Sequence, residues 1–236
     1  MAIGDTPTVT PGRRIEHDVR AQIENGNLHI GERLPSEAEL SAQYGVGRNT
    51  VREALRALAG QGLLEIKVGK RGGTFVTRPS AEKISGSLRL ALSLMAGTEV
   101  SVANLVQIRE ILEIPAAEIA ALQRTEEELA ALRATLFDPY HVDPDRVFGC
   151  TGGFHLAILR ATHNPLLPIV ASPVFQVLEE RFLRDRAPQR VWLDVDRDHR
   201  EIVDCLERHD QAGAREAMRA HLRAARQQYY QDMAES

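Results

Sequence analysis

Between Ser36 and Gly60 two short helical stretches are separated only by Gly45-Val46-Gly47, and few folds accept so sharp a turn between two helices. Ser36 followed by Glu39 is a capping-box pattern, which starts the first of these helices and carries it through Tyr44. The second helix runs from about Arg48 to Gly60, with Val51, Leu55 and Leu58 on its inner face. An earlier helix is expected over Arg13 to Gly26, where Ile15, Val19 and Ile23 recur at helical spacing. Pro35 keeps the stretch Gly31–Pro35 extended. Leu63–Lys67 and Thr74–Thr77 read as strands joined by the turn Gly69–Gly73. The order helix, helix, turn, helix, β-hairpin predicts a winged helix-turn-helix domain over residues 12–78, with a short disordered arm ahead of it.

The texture changes after Arg78-Pro79-Ser80, and residues 79–83 read as a linker. Strand signals disappear. Amphipathic helical stretches follow near Glu82–Ala96, Val100–Leu122, Thr125–Leu136, Asp145–Thr162, Pro165–Arg184, Asp194–Arg208 and Gln211–Met233. Gly97, Phe137-Asp138-Pro139, Asn164-Pro165, Ala187-Pro188 and Gly213 read as the breaks between them. Short connections between such stretches describe an all-α bundle over residues 84–233, so the whole chain is expected to be mainly α.

Composition narrows the class of molecule. Hydrophobic residues make up 43% of the chain, enough for real cores. Two cysteines, Cys150 and Cys205, make no disulfide framework and suit a reducing cytoplasm. The first residues lack the basic and apolar regions of a signal peptide, and no apolar run is long enough to cross a membrane. Gly12–Pro79 carries 11 Lys+Arg against 8 Asp+Glu, whereas Ser80–Ser236 carries 18 against 24. A basic front on an acidic protein permits a polyanion partner there.

The helix opening Arg48-Asn49-Thr50-Val51-Arg52 has the residue types that read a duplex. Arginine pairs bidentately with guanine, asparagine with adenine, and threonine meets phosphate or a thymine methyl. Val51, Ala54, Leu55 and Leu58 would hold this helix on the domain while its N-terminal residues enter the major groove. The basic hairpin turn Lys67–Arg71 could reach a neighbouring phosphate as a wing. The plainer alternative is a solvated amphipathic helix.

The run Glu32-Arg-Leu-Pro-Ser-Glu37, Leu40, Val46-Gly-Arg-Asn-Thr-Val-Arg-Glu-Ala-Leu55, Leu58, Gly62-Leu63 and Gly72-Gly-Thr-Phe-Val76 resembles the N-terminal domain of the GntR superfamily of transcription factors. The resemblance implies symmetric homodimers on palindromic double-stranded DNA operators. It also implies Arg48, Asn49, Thr50 and Arg52 as recognition-helix contacts, with Gly69 and Lys70 as wing contacts. Ala38 stands where many members carry an arginine contact.

In the helical half, His155, His199 and His221 each share a helical face with apolar residues, so all three imidazoles could point into the bundle. Three nitrogen donors could hold a divalent ion with open positions for other ligands. The alternative is that each is a satisfied core or surface histidine. Arg109 lies on a face with Leu105, Ile108 and Leu112, and suits either a carboxylate ligand or an i,i+4 surface pair with Glu113. Asn164, before Pro165, reads as a helix cap.

Leu105-Val-Gln-Ile-Arg-Glu-Ile-Leu-Glu113, Phe154-His155 leading to Asn164-Pro-Leu-Leu167, Asp198-His-Arg-Glu201 and Arg219-Ala-His-Leu222 resemble the all-helical FCD effector domain of the FadR-like branch. Many members of that branch bind a metal through one Asp and three His. The resemblance implies His155, His199 and His221 as metal ligands, with Thr151 in place of the Asp, and Arg109 beside the effector cavity. Three neutral imidazoles suit zinc or nickel better than magnesium or calcium. The expected protein is therefore not an enzyme but a ligand-responsive DNA-binding regulator, a repressor released by a small carboxylate metabolite. Two other readings stay open: a metal-dependent hydrolase built on the histidines, and a DNA-binding protein whose back domain only dimerises.

Overall fold

A computed structural model describes residues 10–69, 72–140, 144–180 and 189–234 of the chain, without the side chains of 144–150, 189 and 228–234. It divides into two compact units, Met1–Lys83 and Ile84–Ser236. Among the described residues no helix is long and apolar enough to cross a membrane.

The first unit is built from α1 (Pro11–Glu24), α2 (Glu37–Tyr44), α3 (Arg48–Gly60), β1 (Leu64–Lys67) and β2 (Gly73–Val76). The α1 helix begins earlier than its apolar spacing suggests, because Pro11 takes the first helical position, where a missing N–H costs nothing. The capping box at α2 forms as expected: Ser36 accepts from the Glu39 N–H, and the Glu39 carboxylate accepts from the Ser36 N–H at 2.7 Å. Gly45 closes α2 in the left-handed region at φ 66°, which lets the chain turn within three residues into α3. Ile15, Val19, Leu34, Leu40, Val51, Ala54, Leu55, Leu58, Leu64 and Val76 form the core that this turn closes over. The strands pair antiparallel, with Leu64 opposite Val76 and Lys67 opposite Gly73. Arg33 bridges to Phe75, so the stretch before α2 joins the hairpin as a third edge.

The second unit holds all but the first residues of α4 (Ala81–Met95), then α5 (Val102–Gln123), α6 (Glu126–Arg133), α7 (Pro144–Arg160), α8 (Leu166–Leu178), α9 (Gln189–Glu207) and α10 (Gln211–Ala234). The α4 helix begins inside the stretch expected as a linker, and the Ser80 hydroxyl accepts from the Lys83 N–H at its start. The α9 helix begins at Gln189, ahead of the expected Asp194. Gly213 is not a break. It lies in the first turn of α10, and its N–H donates to Asp210 Oδ1 at 2.8 Å; a Cβ there would collide with that carboxylate. Asn164 is not the N-cap of α8; Pro165 holds that position, and the Asn164 side chain, one residue earlier, accepts from the Leu166 N–H at 3.1 Å. The α5 helix is central and packs on α7, α8, α9 and α10. Ala116, Ala117, Ala120 and Ala121 let these neighbours approach closely, and Phe154, Ile158, Ile202, Leu206 and Met218 fill the space between them.

Candidate reading head and candidate metal centre

The α3 helix presents two faces. Val51, Ala54, Leu55 and Leu58 are buried against the unit, while Arg48, Asn49 and Arg52 are exposed and Thr50 is half-buried. Gly47 precedes α3 and supplies no side-chain cap, so the first-turn N–H groups are not taken up by a capping side chain. Such groups, with the helix dipole behind them, suit a phosphate. Arg52 is held from α2: its Nε donates to Glu37 Oε1 at 3.0 Å and its Nη2 to Glu37 Oε2 at 2.7 Å. The hydrogen bond from Arg52 keeps the Glu37 carboxyl below its ordinary range. Two of the five guanidinium N–H donors are used in this pair. Arg33 Nη2 donates to the Gly72 carbonyl at 2.8 Å and ties the base of the wing to the stretch before α2. Gly69 is exposed with φ 116°, a conformation that glycine tolerates. Lys70 lies outside the described residues.

In the second unit α7, α9 and α10 bring His155, His199 and His221 together. One ring nitrogen from each lies within 4.8 Å of the others, and the three are 4%, 0% and 4% exposed. His199 stacks on Phe154 with ring centroids 3.9 Å apart. Neither of its ring nitrogens has a hydrogen-bond partner among the described residues. Burial holds the His199 imidazolium well below its ordinary range, with His221 and His155 adding to the effect. Burial likewise brings His155 down to about 4, against the opposing pull of Glu113. These two rings are therefore neutral near pH 7, the state that donates to a metal. Buried nitrogens without partners are costly for a core and apt for a coordination site, so the donor set fits a divalent ion of nitrogen preference.

Carboxylates stand behind two of these rings. Glu113 Oε2 lies 2.6 Å from His155 Nδ1, a contact close in distance rather than well directed, and Glu113 is 1% exposed. Asp198 Oδ2 lies 3.4 Å from His221 Nδ1. Burial alone would raise the Glu113 carboxyl, but Arg109 and then His155 bring it down to about 2. Burial also works against ionisation of Asp198, yet the His221 and Arg197 contacts leave it below its ordinary range.

Arg109 does make the i,i+4 pair with Glu113, Nε to Oε1 at 2.6 Å, but the pair is buried rather than on the surface. Its guanidinium carbon lies 5.0 Å from the Phe175 ring centroid. Ile108 does not share this face; it is 40% exposed, whereas Leu105, Val106 and Ala116 are buried with Arg109. Thr151 is half-buried on α7, one turn before His155. The neighbouring Gly152 leaves room for the Glu179 carboxylate, which a Cβ there would meet at 2.5 Å. Burial pushes the Glu179 carboxyl up to about 7, against the pull of Arg109.

Sequence reasoning gave Glu113 only as a surface partner of Arg109 and gave Asp198 no role. The signals were present: Glu113 is one turn from Arg109, and Asp198 adjoins His199 in a quoted motif. No sequence signal marked Glu179, which enters through the packing of α8 on α7.

Residues 11–76 match the family described as bacterial regulatory proteins of the gntR family, and residues 104–224 match the FCD domain. The HTH-type transcriptional regulator LutR of Bacillus subtilis is 34% identical over 210 residues, covering 85% of this chain and 92% of that protein. The putative L-lactate dehydrogenase operon regulatory protein of Escherichia coli is 32% identical over 211 residues, covering 86% of this chain and 80% of that protein. The solved structure of Streptococcus agalactiae GntR superposes with a TM-score of 0.66 at 24% identity, covering 92% of this chain and 99% of that one, a likeness of fold.

Proposed function

We propose, starting from the fact that this chain belongs to the GntR family of bacterial regulatory proteins, that a small organic acid bound in its helical half sets how tightly its reading head holds DNA. The chain is a DNA-binding transcriptional regulator with an FCD effector domain. The finer reading is a homodimeric repressor on a palindromic operator, released when the acid binds. Arg48, Asn49 and Arg52 meet base edges, Thr50 meets the backbone, and Gly69 and Lys70 approach from the wing.

One observation carries the effector reading. Arg109, Glu113 and His155 form a continuous buried polar chain beside two further imidazoles, inside a bundle whose other buried positions are overwhelmingly apolar. A core gains nothing from such a group unless it meets a ligand or an ion. His155, His199 and His221 would hold zinc or nickel, which supplies a Lewis-acidic positive charge for the acid's carboxylate. Arg109 would add its own charge toward the same anion. The name of the Escherichia coli relative, which refers to an L-lactate dehydrogenase operon, points to small hydroxy acids as the first to try. Support for the dimer comes from α5, where Ile108, Ile111, Ile119 and Leu122 are exposed at helical spacing as an apolar stripe.

The acid acts by preferring one of two arrangements of the dimer, so operator affinity changes by the ratio of its affinities for them. The test is fluorescence anisotropy on a palindromic duplex selected by the chain from a random pool, with a panel of small carboxylates added, with and without zinc. The reading requires at least one carboxylate to weaken binding. A panel that leaves operator affinity untouched overturns it.

A further inference from the structure

We propose that Glu113 is the positioning carboxylate of the three-histidine site, supplying from α5 the negative charge that Thr151 on α7 does not. The inference rests on the metal reading above and goes beyond it.

A hydroxyl at position 151 leaves three imidazoles to face a divalent cation with no carboxylate beside them among the described side chains of α7. The compensating charge is nevertheless present. Glu113 Oε2 lies 2.6 Å from His155 Nδ1, and Asp198 Oδ2 lies 3.4 Å from His221 Nδ1. Both contacts are to Nδ1, which leaves the opposite nitrogen of each ring, Nε2, to face an ion. A carboxylate behind a ligating imidazole fixes its tautomer, holds its plane and makes the donor nitrogen more basic.

Glu113 is the more deeply buried and the shorter contact of the two, though close in distance rather than well directed. It is 1% exposed, whereas the Asp198 side chain is 15% exposed and also binds the Arg197 guanidinium at 3.0 Å. Glu113 is also fixed from its other side by Arg109 Nε at 2.6 Å. Its carboxylate therefore cannot swing away without giving up the buried ion pair with Arg109, so His155 faces a carboxylate fixed in place. The ligand that changed between family pattern and chain lies on α7; the residue that offsets it lies on a helix that contributes no ligand.

The test uses the full chain stripped with chelator and titrated with zinc against a chromophoric competitor. Wild type is expected to take one ion per chain, and His199→Ala to lose it. If wild type takes none, both the site and this inference are overturned. Glu113→Gln, which keeps shape and loses charge, is expected to bind zinc roughly 10- to 100-fold more weakly at unchanged stoichiometry. Because removing one partner of a buried pair can unfold a protein, the double variant Arg109→Met, Glu113→Leu is measured beside it, and the same loss is expected with a melting temperature near that of wild type. Nitrogen-15 NMR of the zinc-loaded wild type should show His155 protonated at Nδ1 and coordinated through Nε2. If both variants match wild-type affinity while His199→Ala fails to bind, the site stands and the role of Glu113 is overturned. A zinc-loaded His155 coordinated through Nδ1 overturns it as well.

Discussion

Arg52 and Glu37 face each other across the turn of the reading head as a two-point ion pair, 3.0 Å and 2.7 Å, with both side chains partly in solvent. The arrangement costs the α3 surface some positive charge and returns a guanidinium whose plane is fixed before DNA arrives. Glu37→Gln should change the melting temperature little, since exposed pairs contribute about 0–1 kcal/mol. It should tighten binding to scrambled duplex at low salt and narrow the gap to the selected operator. Anisotropy titrations on both duplexes check this, and an unchanged ratio counts against a role for the pair in discrimination.

Arg48 and Asn49 are exposed and make no contribution to the core of their unit. Arg48→Ala and Asn49→Ala are each expected to cost about 1–3 kcal/mol of operator binding and to relax base preference at one position per half-site. Melting curves should stay within about 0.5 kcal/mol of wild type. Undiminished operator binding by both variants would falsify the assignment of α3 as the recognition helix.

Zinc or nickel should raise the melting temperature of the helical unit, and chelator should reverse the gain, because an ion held only by the folded state stabilises it by mass action. His199→Phe tests the buried nitrogens directly. The ring of His199 already stacks on Phe154, so an aromatic replacement keeps the packing and removes both orphaned atoms. Differential scanning fluorimetry should show a folded variant with no response to either metal. A retained response places the ion elsewhere.

Glu179 gives a pH dependence of definite sign. Its carboxyl is raised from 4.5 to about 7 by burial, so the native state holds the proton more tightly than the unfolded chain. The stabilisation is fully present below about pH 4.5 and is lost as pH rises through about 7. Glu179→Gln, which mimics the protonated form, should melt higher than wild type at pH 8 and alongside it at pH 4.5. His155 works in the opposite direction: lowered to about 4, it favours the folded state above pH 6.5 and loses that contribution as pH falls toward 4. Thermal melts of wild type, Glu179→Gln and His155→Phe from pH 4 to 8 separate the two. Parallel curves for all three would refute both assignments.

Arg48, Asn49 and Arg52 on the outside of α3, and Val51, Leu55 and Leu58 on its inside, were determined by the sequence alone, because helical spacing, caps and turn glycines are local properties of the chain. The inward faces of His155, His199 and His221 were legible for the same reason. What no local rule supplies is which residues of separate helices meet. That the three rings converge, that Arg109 and Glu113 pair inside the bundle rather than on its surface, and that Glu113 stands behind His155 were decided by how α5, α7, α9 and α10 pack. Periodicity sets the side of a helix a residue occupies; only the packing of several helices together sets what stands opposite, and the chemistry of a buried charge depends on that neighbour.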